Sequence, residues 1–137
     1  MANWQWFTKV HRKVFNLSGG RLGASMGGQS IVMIETIGRK SGQLRQVPVV
    51  CYPYKDFVTV VASNNGQHKH PLWWLNLQAQ PQVNAQLGKQ RFAVLAHELQ
   101  GAEREAAWQV IREKNPRQQG YADNTERELP VVYLQPR

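Results

Sequence analysis

The sequence predicts an antiparallel β-barrel with flanking helices, a mainly β fold of the α+β class. Strand-like segments outnumber helical ones, their connections are short enough for hairpins, and three consecutive strands follow one another as a meander. A chain of 137 residues can bury roughly two-thirds of the surface that it exposes when unfolded. We therefore expect one domain over residues 1–137.

Residues 1–18 predict an amphipathic helix that precedes a barrel of residues 19–137. Its polar face carries Lys9, Arg12 and Lys13, and Gly19-Gly20 would end it. The helix could dock on an anionic membrane surface through Trp4 and Trp6, or pack on its own domain. Its apolar residues recur at helical spacing: Trp6, Phe7, Val10, Val14 and Leu17.

Six segments after a glycine-rich loop (18–30) have the composition and alternation of strands. Pro48 indicates that the second of them is an edge strand or is bulged there. Their short connections predict two hairpins and a meander. The segments are 31–37, 43–52, 57–62, 83–87, 90–99 and 129–134.

Two further segments predict helices. Pro71 is well placed to begin a short helix over residues 71–79. In a longer helix over 103–114, apolar side chains would face the core beside Trp108: Ala107, Val110 and Ile111. The polar stretch that follows, which contains Tyr121, predicts a loop.

Composition narrows the class of protein. The chain has no apolar run long enough to span a membrane and no secretory signal pattern, so we expect a cytoplasmic protein. Its single cysteine, Cys51, lies in a predicted strand and is expected to be a buried hydrophobic residue. The net charge is +8, and seven of the 17 Lys and Arg residues lie in the first 45 positions with one acid. Such a field favours an anionic ligand, an anionic membrane surface or nucleic acid.

The turn at residues 38–42 is the strongest candidate for an anion site. Glycines at 38 and 42 allow positive φ and close approach of a ligand, while Arg39, Lys40 and Arg45 supply three cations. Phosphate or carboxylate would fit, although a basic turn can also be simply solvated. His68 and His70 form a His-x-His pair without a third ligand in a fitting pattern, so no metal site is expected.

Taken together, the motifs resemble the deazaflavin-dependent nitroreductase family over residues 19–136. The resemblance implies the split β-barrel, FMN-binding-like fold of flavin and deazaflavin oxidoreductases. Each motif is weak alone, but all of them occur in the order and spacing of the family. They lie at 37–42, 45, 47–48, 62–66, 69–71, 73–77, 121–123 and 130–132.

The resemblance implies hydride transfer from reduced coenzyme F420 to an electron-poor acceptor, such as a quinone, an activated alkene or a nitroaromatic. F420 carries a phosphodiester and a polyglutamate tail. The basic turn would bind that tail through its cations, its hydroxyl and its backbone. The implied tail-binding residues are Gly38, Arg39, Lys40, Ser41, Gly42 and Arg45.

The resemblance also implies which residues surround the deazaflavin ring and the acceptor. Tyr121 matches a position near the substrate that can donate a hydrogen bond or a proton. The chain continues as Asp123-Asn124-Thr125, where nitro-activating members carry a second aromatic residue, and this puts nitroimidazole-type activity in doubt. The implied residues around the ring are Pro48, Ser63, Asn64, Asn65, Gly66, His70, Trp74 (preferred over Trp73) and Asn76.

Two alternative functions stay open at this point. One is an FMN-dependent oxidoreductase on the same barrel. The other is a non-enzymatic basic barrel that binds single-stranded nucleic acid, which is disfavoured because two tryptophans cluster in a helix instead of alternating along strands. For the reductase we expect a small-molecule acceptor, which could be a membrane quinone, and no nucleic acid. Peripheral association with the inner face of the membrane and a homodimer are both possible.

Overall fold

The computed structural model describes residues 25–26 and 29–137, with side chains from Ser30 onward. The helix predicted over residues 1–18 and most of the glycine-rich loop lie outside the described residues.

The described strands form a closed antiparallel barrel, as the sequence predicts. The sheet order is β1-β2-β3-β4-β7-β6-β5, and a further pairing between β2 and β5 closes the six strands β2 to β7 into a ring. The two-residue β1 only extends the sheet beside β2. The strands are β1 (Ser25–Met26), β2 (Gln29–Ile37), β3 (Leu44–Tyr54), β4 (Phe57–Val61), β5 (Gln82–Leu87), β6 (Gln90–Glu98) and β7 (Val131–Pro136).

Alternation along the strands places the core inside the barrel. In β5, Val83, Ala85 and Leu87 are buried while their neighbours are partly exposed, as expected for a strand with one face in the core. All five residues of β4 are buried, so both of its faces are covered. Cys51 is buried too, and burial raises the pKa of its thiol to about 12, which keeps it protonated as the sequence analysis expects of a packing residue.

The long strand β3 pairs with β2 and β4 at the same residue only at Cys51. Residues 44–51 pair with β2, whereas β4 pairs only with residues 51–54. Pro48 lies opposite Met33, in the part of β3 that pairs with β2 alone, and such singly paired positions are where a sheet tolerates proline. Among the described residues, no second strand pairs with residues 44–50, so the prediction of an edge strand at Pro48 is confirmed.

Within the described part of the chain, three α-helices flank the barrel: α1 (Leu72–Ala79), α2 (Gly101–Lys114) and α3 (Arg117–Asp123). Pro71 is the N-cap of α1, one residue before the helix that we expected it to begin. Helix α2 buries Ala107, Trp108 and Ile111, but Val110 is 36% exposed, which corrects its placement toward the core.

Helix α3 is the one helix within residues 29–137 that the sequence analysis did not predict. Only Tyr121 and Ala122 are aromatic or apolar in its seven residues, and Gly120 disfavours helix, so the segment has no apolar stripe to detect. Among the described residues, no helix is both long enough and apolar enough to cross a membrane.

Candidate active site

Two adjoining cavities lie between β3, the chain that follows β4, and helices α1 and α3. The first, the Tyr121 cavity, measures about 570 Å³, and its walls include Pro48, Ser63, Asn65 and Tyr121. The second, the Arg45 cavity, measures about 510 Å³. Asn64 and Trp73 line both, so the two cavities form one cleft divided by these side chains; the walls of the second also include Thr36, Arg45, Lys69, His70 and Asn76.

The Arg45 cavity is cationic. Arg45 on β3 lies opposite Thr36 on β2, and both residues line the cavity. Lys69 adds a second cation from the segment before α1, and none of the lining residues is acidic. An anionic group entering this cavity therefore meets two positive charges and a hydroxyl.

The basic turn lies beside the Arg45 cavity and is held by backbone bonds. The Gly42 N–H donates to the Gly38 carbonyl at 2.8 Å, and the Gly38 N–H donates to the Gln43 carbonyl at 2.8 Å. The Arg39 N–H donates to Asn76 Oδ1 at 3.1 Å, and Asn76 lines that cavity. The turn is thus anchored to a cavity wall, with Arg39 and Lys40 exposed and outside the described cavity walls, along with Ser41.

The two glycines of the turn are needed for different reasons. Gly42 has a φ of +72°, as expected for a left-handed position. Gly38 does not have positive φ, which corrects the expectation for it. A Cβ at Gly38 would lie 2.5 Å from Ser41 Oγ, so a side chain here would displace the Ser41 hydroxyl, which accepts the Gln43 N–H.

The loop at residues 63–66 is a tight 3-10 turn in the wall shared by the two cavities. Asn64 and Asn65 have φ of 48° and 57°, and Gly66 has a φ of 77°. Asparagine tolerates this left-handed region better than most residues. A Cβ on Gly66 would lie 3.2 Å from the Tyr121 Cα and carbonyl oxygen, so the loop and α3 touch through backbone.

Arg127, which the sequence analysis did not identify, holds this loop from behind. Its guanidinium donates to the carbonyls of Ala62 at 3.2 Å, Ser63 at 2.8 Å and Gln67 at 2.8 Å. Burial lowers the pKa of Arg127, but the guanidinium of arginine is not deprotonated in proteins, so the side chain keeps its charge. One planar side chain therefore fixes both ends of the loop.

The two histidines have separate partners. Arg127 Nη1 lies 3.1 Å from His70 Nδ1, and because arginine only donates, that nitrogen accepts and the neutral ring carries its proton on Nε2. His68 Nδ1 lies 3.3 Å from Thr125 Oγ1. Within residues 30–137, no three side chains of His, Cys, Asp or Glu gather as a metal site.

The structure reverses the expected roles of the two tryptophans. Trp74 is 4% exposed and packs in the hydrophobic core. Trp73 is half-buried and lines both cavities. Successive helical residues point about 100° apart, so only one of them could face the cleft, and it is Trp73.

Helix α3 forms the far wall of the Tyr121 cavity. Tyr121 is half-buried there, beside Arg117 and Gln118. Beyond Tyr121 the surface continues into a third depression of about 440 Å³, which Asp123 and Asn124 line. The cleft therefore runs from the cationic cavity, past the 63–66 loop, to a polar wall on α3.

Most of the residues implied by the resemblance lie in or against this cleft. Gly66 contacts α3, Trp74 lies in the core, and the basic turn reaches the cleft through Asn76. The sequence analysis did not assign several wall or support residues to the site, because residue type alone does not indicate where a side chain points. They are Lys69, Trp73, Asn115, Arg117, Gln118 and Arg127.

The comparisons with known proteins agree with this architecture. Residues 6–136 match the model of the F420H(2)-dependent quinone reductase family. The F420H(2)-dependent quinone reductase Rv1261c of Mycobacterium tuberculosis is 32% identical over 130 residues, which are 92% of this chain and 87% of that protein.

Two solved structures are also similar. An F420H2-dependent reductase, FDR-A, has a TM-score of 0.71 and 37% identity, over 77% of this chain and 93% of that one. A chain described as a domain-swapped dimer has a TM-score of 0.71 and 31% identity, over 98% of this chain and 100% of that one. The family resemblance drawn from the motifs is confirmed: the chain belongs to the F420H2-dependent quinone reductase family.

Proposed function

We propose that this protein is a reductase that binds reduced coenzyme F420 along the cleft and transfers its hydride to a quinone. The observation that carries the proposal is the junction of a cationic cavity and a second cavity lined by Tyr121, which share Asn64 and Trp73. A cofactor with an anionic tail and a flat ring needs these two environments side by side.

The Arg45 cavity and the basic turn would bind the tail. Arg45 and Lys69 lie in the cavity, and Arg39 and Lys40 extend the positive charge along the turn. A phosphodiester followed by several glutamates presents a row of negative charges. A row of cations can pair with more of these charges than a single pocket can. Gly38, Ser41 and Gly42 shape the turn, and Asn76 joins it to the cavity.

The loop at residues 63–66 would bind the ring. Its Ser63, Asn64 and Asn65 supply hydroxyl, amide and backbone groups to the cleft, and Gly66 lets the loop lie close to α3. Pro48 and Trp73 add apolar surface to the same cavity. His70, oriented by Arg127, frames the cavity without binding a metal.

Reduced F420 supplies a hydride when bound. The acceptor gains negative charge as it is reduced, and a nearby hydroxyl donor stabilises that charge. Tyr121 on the wall of the Tyr121 cavity is the residue that we assign to this role. The electron-poor carbonyls of a quinone fit a cavity that combines apolar surface with hydroxyl and amide groups.

A titration with two ligands tests the proposal. We expect F420 to bind the wild-type protein and to bind Arg45→Ala about tenfold more weakly, because one charge-assisted contact to the tail is lost. The same deazaflavin without its phosphate and glutamates should bind both proteins equally. Arg112→Ala, an exposed change on α2, is the matched control.

Three outcomes of that titration would contradict the proposal. The first is an absence of F420 binding. The second is an equal loss of affinity for F420 and the tail-less deazaflavin in Arg45→Ala, which would place Arg45 away from the tail. The third is tighter binding of FMN, which would favour the FMN-dependent alternative because FMN has one phosphate and no glutamates.

The setting of the enzyme is a further part of the proposal. We propose a cytoplasmic protein that associates peripherally with the inner face of the membrane, where a lipid quinone would be found. The basic, tryptophan-containing sequence of residues 1–18 supports this. Sedimentation with anionic and neutral vesicles tests this proposal. Equal binding to both kinds of vesicle would contradict an electrostatic contribution to membrane association.

We also propose a homodimer. The similar chain described as a domain-swapped dimer supports it. Light scattering on the protein as it leaves a size-exclusion column measures the mass of the particle in solution. A monomer at micromolar concentration would contradict the proposal.

A further inference from the structure

His70 holds one ring nitrogen against Arg127 and leaves the other open to solvent. Arg127 Nη1 donates to His70 Nδ1 at 3.1 Å, so the neutral ring carries its proton on Nε2. Among the described residues Nε2 has no hydrogen-bond partner, and it is not one of the buried polar atoms that lack a partner, so solvent reaches it. The half-buried ring therefore offers an N–H to a group that lies beside it.

That N–H faces the Arg45 cavity. His70 is part of the wall of this cavity, whereas Arg127 is not. The two nitrogens of an imidazole point away from each other. The edge of the ring beside Arg127 is therefore turned from the cavity, and the edge with Nε2 is turned toward it. Arg127 thus fixes both the tautomer and the orientation of the ring.

The cavity gathers several kinds of hydrogen-bond donor around His70. Arg45 and Lys69 bring positive charge, and Thr36 brings a hydroxyl. None of the described wall residues is acidic, so no carboxylate in the wall competes for these donors. A phosphoryl group has several acceptor oxygens and can bond with a cation, a hydroxyl and an imidazole N–H at once. The donor set therefore fits a phosphoryl group.

The order of groups along F420 matches the order of sites along the cleft. In the cofactor, the phosphodiester lies between the ring and the glutamates. In the protein, the Arg45 cavity lies between the Tyr121 cavity and the basic turn. With the ring against the loop at residues 63–66, the phosphodiester is the first anion to reach the Arg45 cavity, and the glutamates extend to the turn.

We infer that His70 donates a hydrogen bond from Nε2 to a phosphodiester oxygen of the cofactor, with Arg127 as the positioning residue. This deepens the proposed function and rests on it, since it assumes F420 in the cleft. A lysine or an arginine attracts an anion over a range of positions, whereas a fixed N–H directs one oxygen. His70 therefore sets where the phosphodiester lies.

Two substitutions of His70 test the assignment by fluorescence titration with F420. In His70→Gln an amide N–H can take the place of Nε2–H, whereas the shorter side chain in His70→Asn cannot reach that position. We expect His70→Asn to bind F420 about tenfold more weakly, because a hydrogen bond to a charged oxygen is lost, and His70→Gln to stay within about threefold of wild type. Equal losses in the two variants would overturn the assignment. His68→Asn, an exposed change that lines neither cavity, is the matched control.

Shortened forms of the cofactor identify the oxygen that His70 binds. F420 without its glutamates keeps the phosphodiester and should show the same loss in His70→Asn. The deazaflavin without phosphate and glutamates should bind wild type and His70→Asn equally, which also shows that the variant is folded. A loss confined to the form with glutamates would assign His70 to a carboxylate, and a loss for all three ligands would assign it to the ring. Either result overturns the proposal.

Nitrogen NMR of protein labelled at histidine gives a readout that does not depend on the cofactor. Ligand-free wild type should show His70 as the Nε2–H tautomer, with the Nδ1 signal of a hydrogen-bond acceptor; comparison with His70→Gln identifies these signals. In Arg127→Met the Nδ1 signal should move to that of a nitrogen without a hydrogen bond. An Nδ1–H tautomer in wild type, or an unchanged Nδ1 signal in Arg127→Met, would overturn the role of Arg127.

Binding by wild type separates this assignment from the proposed function. If wild-type protein does not bind F420, the proposed function fails and the assignment of His70 fails with it. If wild type binds F420 and His70→Asn binds it equally well, only the assignment of His70 fails.

Discussion

Asn76 Oδ1 accepts the backbone N–H of Arg39 at 3.1 Å, joining two residues that are 37 positions apart in sequence. The bond links helix α1, which forms a wall of the Arg45 cavity, to a turn whose other hydrogen bonds among the described residues come from its own backbone and the Ser41 hydroxyl. Asn76 is buried, so the bond is shielded from water. The position of the basic turn against the cleft depends on this contact.

Replacing Asn76 should therefore weaken binding of the cofactor tail. In Asn76→Leu we expect F420 affinity to fall about fivefold and the free energy of unfolding to fall by about 1 kcal/mol, the contribution of one partly buried hydrogen bond. Fluorescence titration and urea unfolding measure the two effects. Gln78→Leu, exposed on the same helix, should change neither. An equal loss of affinity for the tail-less deazaflavin would show that Asn76 acts on the ring instead.

Arg127 should control the loop at residues 63–66. In Arg127→Lys the charge remains, but an ammonium cannot reach three carbonyls and His70 together. We expect the free energy of unfolding to fall by about 2 kcal/mol and F420 affinity to fall about tenfold. Calorimetry and titration test this, with Arg112→Lys as the control. Wild-type affinity in Arg127→Lys would mean that the loop keeps its form without the guanidinium.

Alanine substitutions at two glycines distinguish the stability cost of a strained backbone from the cost of a steric contact. Gly66 and Gly101 both have positive φ, of 77° and 58°, but only at Gly66 would an added Cβ lie 3.2 Å from the Tyr121 backbone. Gly101→Ala should cost about 1 kcal/mol, the strain of a left-handed alanine. Gly66→Ala should cost about 1–2 kcal/mol more, because the loop or α3 must shift. Equal costs in urea unfolding would argue against a tight contact between them.

The barrel was predictable because its strands carry their own signals. Phe57–Val61 consists of β-branched residues after its initial phenylalanine, and β5 and β6 alternate between buried and partly exposed residues. Both patterns arise from local chemistry, so they are visible in one sequence. Helix α3 has no such pattern: it is held by contacts such as Gln118 with Tyr52, which is 66 residues away.

In the site, the positions of the turns were predictable from the sequence, but the directions of the side chains were not. Glycine, proline and asparagine mark turns wherever they occur, so the basic turn and the 63–66 loop could be located from residue type. The direction of side chains could not. Trp73 and Trp74 are adjacent and chemically identical, and only the packing of α1 against the barrel decides which one reaches the cleft.

Replacement by leucine should mainly lower the stability of the protein at Trp74 and mainly lower F420 affinity at Trp73. Trp74→Leu removes core volume and should lower the free energy of unfolding by about 2–4 kcal/mol. Trp73 is only partly buried and packs against the outside of the core, so Trp73→Leu should lower F420 affinity severalfold with a smaller loss of stability. Thermal unfolding and F420 titration on both variants give the comparison. The expectation fails if Trp73→Leu is the less stable variant or binds F420 as wild type does.

Glu35 should make the barrel sensitive to acid. It lies on β2 where that strand pairs with Gln46 on β3 and Asn84 on β5, and Arg91 Nη2 contacts its two carboxylate oxygens at 2.6 and 2.8 Å. Burial alone would raise the pKa of Glu35, but the hydrogen bonds from Arg91, Gln46 and Asn84, with the Arg91 charge, outweigh it and lower that pKa. The ionised carboxylate thus links both neighbours of β2 at the point where the barrel closes.

A lowered pKa in the folded state stabilises the protein above the unfolded pKa of glutamate, about 4.3, and this stabilisation is lost as the pH falls through the folded value. Glu35→Gln should therefore be less stable than wild type at pH 7, and the difference should shrink below about pH 4.3. Urea unfolding at pH 7, 5, 4 and 3 measures it, with Glu105→Gln, exposed on α2, as the control. A difference that stays constant or grows on acidification would mean that Glu35 stabilises the barrel through packing and not through its charge.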